Sequence, residues 1–285
     1  MAQLSEYDIE NRHHAIVRQS RRLTPTDTDE VRELQLEITD PGFACEVDQS
    51  FGVLVESKRE FGNSFHHRLY SVADLPGEVN GHPLITCLVK RCRYVDDFSG
   101  EEYPGVASNY LCDRKPGDEI TLTGPFALPF AIPEDNRANL ILIGMGTGIA
   151  PFRAFIKHIY HVVGEWKGQI RLFYGARSGL ELLYLNDEDG DLTNYYDKET
   201  FEAFSALSPR PHWSDPIALD QALLSRREEI RTMLNSANTY VYVAGYDKLI
   251  PLLDKAFGQI LGAPERWIVR KNELIAGKKW AEVIY

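Results

Sequence analysis

The sequence lacks the features that place a chain in a membrane or outside the cell. No apolar run approaches the roughly 18 residues that a membrane-spanning helix needs, so no membrane span is predicted. The first ten residues are polar and acidic, without the apolar stretch of a secretory signal peptide. Four cysteines in 285 residues are too few for a disulfide framework. Together these absences predict a cytoplasmic protein.

An excess of basic residues is also missing. The formal net charge is −11. Residues 1–138 contain 14 Lys+Arg and 24 Asp+Glu, a balance of −10, whereas residues 139–285 contain 17 and 18, a balance of −1. An acidic chain repels the phosphate backbone, so no nucleic acid is expected as a partner. The acidity is otherwise explained by its contribution to solubility.

Metal-ligand spacing is absent as well. Cys87 and Cys92 have the C-x4-C spacing that opens a plant-type iron–sulfur motif, but the third position is Val95. The two histidine pairs, His13-His14 and His66-His67, are adjacent in sequence, which is a poor arrangement for chelation from one face of a strand. No metal site is therefore predicted.

The first half of the chain has the pattern of β-strands. Short segments rich in β-branched and aromatic residues are separated by turn dipeptides such as Pro41-Gly42 and Pro116-Gly117. The predicted strands are Ala15–Gln19, Arg32–Ile38, Gly52–Glu56, Phe65–Val72, Leu84–Tyr94 and Glu119–Thr123. Six such strands predict a small antiparallel β-barrel over residues 1–137.

The second half alternates strands with helices. The predicted strands are Asn139–Gly144, Gln169–Tyr174 and Thr239–Ala244, and the predicted helices are Ile149–Val163, Lys198–Ser205, Ile217–Asn235 and Leu249–Leu261. Such alternation is typical of βαβ units, so residues 138–285 are predicted to form a Rossmann-like α/β domain with a parallel sheet. The predicted fold class is therefore α+β with two domains.

A glycine loop joins the first strand of the second half to its first helix. Gly144, Gly146 and Gly148 alternate, which lets the backbone turn tightly and exposes amide N–H groups beside a helix N-terminus. Such a loop can hold the pyrophosphate of a dinucleotide. The spacing is G-x-G-x-G rather than the usual G-x-G-x-x-G. A tight strand-to-helix connection with no ligand would show the same pattern.

A second polar cluster lies in the predicted strand Phe65–Val72. Arg68 and Tyr70 share one face of this strand, and Leu69 and Ser71 share the other. Arginine can pair with phosphate, tyrosine can stack on a ring system and serine can donate a hydrogen bond, so the cluster suits a flavin nucleotide. Taken by itself, a surface strand with polar side chains is the simpler interpretation.

Five segments, in this order and spacing, resemble those of the plant-type ferredoxin–NADP reductase family over nearly the whole chain. They are Arg68-Leu69-Tyr70-Ser71, Gly105–Leu111, Gly146–Arg153, Leu172–Arg177 and Tyr240–Gly245, and the terminal aromatic Tyr285 fits as well. The resemblance implies a flavoprotein with FAD held by the first domain and a nicotinamide dinucleotide held by the second.

The resemblance also implies which residues hold the flavin. Arg68 would pair with the FAD pyrophosphate, Tyr70 would pack against the flavin and its ribityl chain, and Tyr94 would stack on adenine. The backbone of residues 106–108 would cap the same pyrophosphate. The full predicted FAD set is Arg68, Leu69, Tyr70, Ser71, Leu88, Val89, Lys90, Tyr94, Val106, Ala107 and Ser108.

Three residues are predicted on the same basis to act in hydride transfer. Ser71 would lie near flavin N5, where the hydride arrives. Tyr285 would stack on the flavin face that receives nicotinamide, and Glu282 would supply the family's carboxylate. The residues predicted to contact the dinucleotide are Gly146, Thr147, Gly148, Ala176, Arg177, Ser208, Arg210, Ala244, Gly245 and Tyr285.

The chain departs from the family at three of these positions. Ala107 and Ala244 stand where the family has cysteines. The family's terminal glutamate lies two residues before the last aromatic, which is Val283 here, and Glu282 is one residue away. On a strand, a shift of one residue reverses the face. Either a bulge restores Glu282 to the site or the site has lost this carboxylate.

The region for the adenosine 2′-phosphate also differs. The family's Ser-Arg pair corresponds to Ser208-Pro209-Arg210, and the Lys-x-Tyr that follows in the family is missing. Arg177 and Arg210 could still form a phosphate pocket. Asp215 is the candidate carboxylate for the ribose diol of NAD(H). On balance NADP(H) is favoured over NAD(H).

The predicted function is that of an FAD-dependent oxidoreductase. Hydride would pass between NAD(P)H and flavin N5, and single electrons would pass to or from a separate carrier, which would be a ferredoxin, a flavodoxin or an oxygenase component. The alternative is a flavin-fold linker subunit of a larger redox complex with little NAD(P)H chemistry of its own. Ala107, Ala244 and the displaced glutamate favour that alternative.

Overall fold

The described residues form an apolar core in each half of the chain. A computed structural model describes residues 7–56, 65–96, 98–186, 190–210 and 216–285. One core fills the antiparallel sheet of the first half, and the other surrounds the parallel sheet of the second half. Within these described ranges, no helix is long and apolar enough to cross a membrane.

The two units of the structure differ in their limits from the predicted domains 1–137 and 138–285. The first unit comprises Met1–Leu128 and Arg153–His158, and the second comprises Pro129–Phe152 and Ile159–Tyr285. The segment that was predicted as the end of the first domain therefore belongs to the second unit.

Aromatic packing explains this difference. Phe130 stacks on Tyr242 with ring centroids 5.1 Å apart and packs against Phe152 at 5.5 Å. The Tyr242 hydroxyl also donates a hydrogen bond to the Ala131 carbonyl oxygen at 2.7 Å. Since Phe130 is 1% exposed and packs on these residues, it ties the segment after Leu128 to the second unit.

Among the described residues up to Leu128, the first unit has nine strands and one short helix. They are β1 (Arg12–Arg22), β2 (Val31–Ile38), β3 (Gln49–Glu56), β4 (Phe65–Ser71), β5 (Gly77–Val79), β6 (His82–Lys90), β7 (Arg93–Val95), β8 (Glu102–Pro104), α1 (Val106–Cys112) and β9 (Glu119–Ala127). Seven strands form an antiparallel sheet in the order β4-β3-β9-β1-β2-β6-β5, and β7 and β8 form a separate ribbon.

This sheet curls on itself. The backbone N–H of Ala73, just after the edge strand β4, donates to the Thr86 carbonyl oxygen of β6 at 2.8 Å. Alternating residues such as Leu34, Leu36 and Ile38 point into the enclosed core and are fully buried. The antiparallel sheet predicted for the first half is confirmed.

The opposite face of β2 carries a shielded carboxylate, Glu37. It accepts hydrogen bonds from Arg18 on β1 and from His82 Nδ1 on β6, the latter at 2.7 Å. These bonds, first from Arg18 and then from His82, hold the pKa of Glu37 below its usual value.

We expect Glu37→Gln to change how the protein responds to acid. A carboxylate with a lowered pKa in the folded state stabilises the fold above its unfolded pKa of about 4.3, and this contribution is lost as the pH falls through the folded pKa. Wild-type urea midpoints should therefore fall more steeply between about pH 5 and pH 3 than those of Glu37→Gln. Glu78→Gln, at an exposed position on β5, controls for net charge. Parallel curves for wild type and Glu37→Gln would contradict the expectation.

The second unit is built on a parallel sheet. Its elements are β10 (Asn139–Met145), the start of α2 (Ile149–His158, of which Arg153–His158 belongs to the first unit), β11 (Ile170–Ala176), β12 (Phe201–Leu207), α3 (Leu219–Ser225), α4 (Arg227–Asn235), β13 (Thr239–Gly245), α5 (Leu249–Leu261), α6 (Pro264–Ala276) and β14 (Trp280–Ile284). The strand order is β12-β11-β10-β13-β14, and all pairs are parallel. The predicted Rossmann-like parallel sheet is confirmed.

Two predictions of individual elements were wrong. Lys198–Ser205 was predicted as a helix, but Phe201–Leu207 is the edge strand β12, paired with β11. Its Glu, Ala and Leu residues favour a helix locally, and pairing with a neighbouring strand overrides that preference. The predicted helix Ile217–Asn235 is two helices, with Arg226 between them. The predicted helix Ile149–Val163 is helical throughout, as α2 to His158 and as a π-helix over Ile159–Val163.

Candidate functional site

The order of the parallel strands reverses between β10 and β13, and the glycine loop lies at this point. Ligands of open α/β sheets bind at the carboxyl ends of the strands where the order reverses. Residues Gly146–Gly148 form a single 3₁₀ turn between β10 and α2. Gly146 has φ +56°, and a Cβ on Gly148 would lie 2.2 Å from the Ala244 carbonyl oxygen. A side chain at Gly148 therefore has no room, and the turn presses directly on β13.

Tyr285 lies against this loop. Its hydroxyl donates to the Met145 carbonyl oxygen at 2.9 Å and accepts a hydrogen bond from Thr147 Oγ1 at 3.2 Å. Its backbone N–H donates to the Gly245 carbonyl oxygen at 3.1 Å, and its ring packs edge-on against Tyr246. The side chain remains 53% exposed, so these contacts are open to displacement by a ligand.

The predicted 2′-phosphate residues share the carboxyl edge of β11 and β12. Ala176 and Leu207 are register partners, so Arg177 and Ser208 follow the ends of adjacent strands. Arg177 and Arg210 are exposed, whereas Ser208 is buried. The structure thus brings Arg177 and Ser208 to one edge, and Asp215 lies outside the described residues.

Glu282 lies on a regular strand. β13 and β14 pair without a register shift, with Val243 opposite Glu282, so no bulge alters the alternation of faces. The Glu282 carboxylate accepts a hydrogen bond from Trp280 Nε1 at 2.6 Å and lies 3.9 Å from Lys271 Nζ. It therefore shares a face with Trp280, opposite that of Val283. Its catalytic role stays a prediction.

The arginine–tyrosine–serine cluster occupies the edge strand β4. Arg68 is exposed, and Leu69, Tyr70 and Ser71 are half-buried. Within the described part of the chain, the Arg68 guanidinium makes only a 3.5 Å contact to the His67 carbonyl oxygen. The side-chain hydroxyls of Tyr70 and Ser71 have no protein hydrogen-bond partner among the same residues. Burial raises the pKa of Tyr70, so its phenol stays protonated.

The other predicted flavin residues are more closely tied into the protein. Leu88 and Val89 are buried in β6. Lys90 Nζ forms an ion pair with Asp29 at 2.7 Å, so it must leave or share this partner to reach a nucleotide. Tyr94 is 53% exposed and stacks on its cross-strand partner Tyr103 at 5.6 Å.

The second flavin segment forms the start of α1. Ala107 is 2% exposed and packs into the first core, and Val106 packs at its margin. The Ser108 hydroxyl accepts a hydrogen bond from the Cys92 N–H at 3.1 Å and lies 3.4 Å from the Gly105 carbonyl oxygen. Ser108 therefore helps to hold the loop before α1 against the end of β6.

A largely buried ion-pair network just after β4 was not predicted. Asp74 Oδ2 lies 2.8 Å from Arg153 Nη1, and Asp74 Oδ1 lies 2.6 Å from Lys157 Nζ. Arg153 also donates to the Ala73 carbonyl oxygen at 2.7 Å. Arg153 and Lys157 are four residues apart on α2, a spacing that could have indicated a shared carboxylate. The network anchors the chain just after Ser71.

The fold and these residues define a two-domain, nucleotide-binding oxidoreductase. A family model for the oxidoreductase NAD-binding domain matches residues 142–255. The chloroplastic ferredoxin–NADP reductase leaf isozyme 1 of Oryza sativa subsp. indica is 31% identical over 244 residues, which cover 83% of this chain and 67% of that protein. The Arabidopsis thaliana isozyme of the same name is 30% identical with the same coverage. The chain belongs to the ferredoxin–NADP reductase family.

Solved structures show the same fold. The ferredoxin–NADP⁺ reductase of Plasmodium falciparum is 18% identical and aligns over 99% of both chains with a TM-score of 0.72. A structure of the reductase from that organism with 2′P-AMP is 19% identical and aligns over 88% of this chain and 93% of the other, with a TM-score of 0.68. At these identities the match establishes the fold.

Proposed function

We propose that this protein is an FAD-dependent ferredoxin–NADP reductase. When bound, FAD accepts hydride from a nicotinamide and exchanges single electrons with a separate carrier protein. The observation that carries the proposal is the glycine turn at the sheet's reversal point, with Gly148 against Ala244, in a chain of this family. This packing holds the glycine turn at the reversal point, where open α/β sheets bind their ligands.

The flavin would be held by the free polar groups of β4. Arg68 would pair with the FAD pyrophosphate, and Tyr70 would pack against the flavin. Ser71 would donate a hydrogen bond near flavin N5. These three side chains fit this assignment because, among the described residues, Arg68 makes no ion pair and both hydroxyls lack partners. The remaining residues of the predicted FAD set would complete the pocket: Leu69, Leu88, Val89, Lys90, Tyr94, Val106, Ala107 and Ser108.

The dinucleotide would lie on the second unit. The glycine turn and the first turn of the ten-residue helix α2 would receive its pyrophosphate. Tyr285 would leave its contacts with Met145 and Thr147 when the nucleotide binds. Ala176, Ala244 and Gly245 would border the site through their backbones at the carboxyl ends of their strands.

We expect Arg177→Ala to raise the KM for NADPH much more than the KM for NADH. Arg177 is exposed beside Ser208 and would pair with the 2′-phosphate that only NADP(H) carries. Since a charge-assisted hydrogen bond contributes about 1.5–3 kcal/mol, the KM for NADPH should rise by roughly tenfold to a hundredfold. The KM for NADH should stay within about twofold. Steady-state kinetics with both nucleotides measure this, and equal changes for both would contradict a 2′-phosphate contact.

The electron carrier is proposed to be a ferredoxin. The named relatives are ferredoxin–NADP reductases, which favours this carrier over the flavodoxin or oxygenase component that the sequence also allowed. The predicted cytoplasmic location stays a prediction, since the names of these plant relatives include the word chloroplastic.

An anaerobic titration tests the function directly. The flavin absorbance of the FAD-loaded protein should bleach when NADPH is added, and the reduced protein should then reduce a 2Fe–2S ferredoxin. Flavin that stays oxidised under excess NADPH and NADH would contradict the reductase and support the linker-subunit alternative. Reduction by NADPH without transfer to ferredoxin would point to flavodoxin or an oxygenase component as the carrier.

A further inference from the structure

A buried phenol touches the glycine turn from inside the second unit. Tyr174, on β11, is fully buried and is the register partner of Gly144 on β10. Its hydroxyl donates to the Gly146 carbonyl oxygen at 3.0 Å and accepts a hydrogen bond from the Leu183 N–H at 3.2 Å. The phenol thus joins the turn to a segment that lies beyond β11.

The hydrogen bond from Tyr174 reaches the turn at its first glycine, where the backbone is most free to change conformation. The Gly146 carbonyl oxygen also accepts the N–H of Ile149, the first residue of α2. Since Gly146 has φ +56°, it has access to many backbone conformations, and its carbonyl needs fixed partners to hold one of them. Tyr174 supplies such a partner from a side where solvent cannot compete.

The other end of the contact is rigid as well. Leu183 is 1% exposed, and the next residue, Tyr184, is buried in the left-handed region with φ +63°. A non-glycine residue keeps that conformation only where its surroundings enforce it. The Tyr174 hydroxyl therefore accepts a hydrogen bond from the fixed Leu183 N–H and donates one to the carbonyl oxygen of the flexible Gly146.

Tyr285 holds the same turn more loosely. It contacts Met145 and Thr147, but more than half of its side chain is exposed. Water or a nucleotide can replace those bonds, whereas the Tyr174 side chain, which donates to Gly146, is fully buried. Once Tyr285 has been displaced, the turn keeps its bond from Tyr174 together with the Ile149 N–H bond and the packing of Gly148 on Ala244.

We propose that Tyr174 is a positioning residue that keeps the Gly146–Gly148 turn in the conformation that binds the nicotinamide nucleotide. This inference rests on the proposed function and adds a residue to its dinucleotide site. In Tyr174→Phe, the ring remains packed, but the Gly146 carbonyl oxygen and the Leu183 N–H each lose a buried partner. The turn then occupies several conformations, of which a fraction binds the nucleotide.

Steady-state kinetics of the FAD-loaded Tyr174→Phe protein test the proposal. We expect the KM for NADPH to rise about tenfold while kcat stays within about twofold, because the lost contact serves binding rather than the reacting atoms. The dissociation constant of NADP⁺, measured by flavin difference spectra, should rise by the same factor. Tyr242→Phe is the matched control, since it removes another buried phenol bond from this unit, to Ala131. It should lower the thermal midpoint similarly and leave the KM within about twofold.

The outcomes separate this inference from the proposed function. A wild-type protein that NADPH reduces, with an unchanged KM in Tyr174→Phe, would overturn the positioning role alone, as would equal KM changes in both variants. A wild-type protein that NADPH does not reduce would contradict the proposed function itself. If Tyr174→Phe fails to retain FAD, hydrogen exchange of the wild-type Leu183 amide replaces the kinetics. NADP⁺ should slow that exchange severalfold, and an unchanged rate would overturn the proposal.

Discussion

Gly148→Ala should retain FAD and lose nearly all of its reduction by NADPH. The added Cβ would lie 2.2 Å from the Ala244 carbonyl oxygen and 2.7 Å from its carbonyl carbon, and both are main-chain atoms of the central strand β13. Because β13 cannot yield, the glycine turn must move by an ångström or more. A displacement of that size can cost on the order of 100-fold in rate, and we expect kcat/KM for NADPH to fall by about that factor.

The measurement is stopped-flow reduction of the FAD-loaded protein under anaerobic conditions. Gly179→Ala is the control, because a Cβ there has no atom within 4 Å, so the same methyl group is added in open space. It should leave kcat/KM within about twofold. If Gly148→Ala retained wild-type kcat/KM, the glycine turn would not be the dinucleotide site.

Asp74→Asn should destabilise the first unit strongly. The Asp74 carboxylate pairs with Arg153 and Lys157, whose side chains are only 6% and 17% exposed. Removing it leaves two largely buried cations without their shared counter-charge, and breaking a buried pair in this way typically costs about 3–5 kcal/mol. We expect the free energy of unfolding to fall by about 3 kcal/mol. FAD content should fall too, because Asp74 lies three residues after Ser71.

Urea unfolding followed by far-UV circular dichroism, together with the flavin absorbance of the purified protein, measures both effects. Asp113→Asn is the control, since Asp113 also lies 2.8 Å from an arginine, Arg91, but is 62% exposed. An exposed pair contributes at most about 1 kcal/mol. Equal losses in the two variants would show that the network around Arg153 has no special role in stability.

Much of the fold could be predicted because local patterns agreed with it. The alternation in β2 and the apolar run of β10 each match the period that the sheet requires. The local pattern of Phe201–Leu207 disagreed with the fold, because its composition favours a helix. Only pairing with β11 makes this segment a strand. Helix α6 was not predicted either. Its buried residues Trp267 and Leu274 are spaced for a helix, but the exposed Ile268 and Val269 obscure the periodicity.

The candidate site could be predicted only in part. Motif residues such as Arg68 and Gly148 carry their chemistry in their type and spacing, so they could be named without coordinates. The partners of these motifs could not. Tyr174 meets Gly146 from 28 positions away, and Arg153 meets Asp74 across a change from strand to helix. Such contacts depend on how elements pack, which no local window of sequence contains.

Glu282 illustrates the difference between what the sequence predicts and what only the tertiary structure decides. The two-residue period of a strand already required that Glu282 and Val283 face opposite sides, and whether a bulge changed that could not be known from the order of residues. Pairing with β13 supplies the answer, because a regular ladder keeps Glu282 beside Trp280. The sequence by itself determines the periodicity of strands and helices, the positions of turns, the places where only glycine fits, and the family to which the chain belongs. Which distant side chains become neighbours is decided by long-range packing, because that arrangement minimises the free energy of the whole fold and not of any segment.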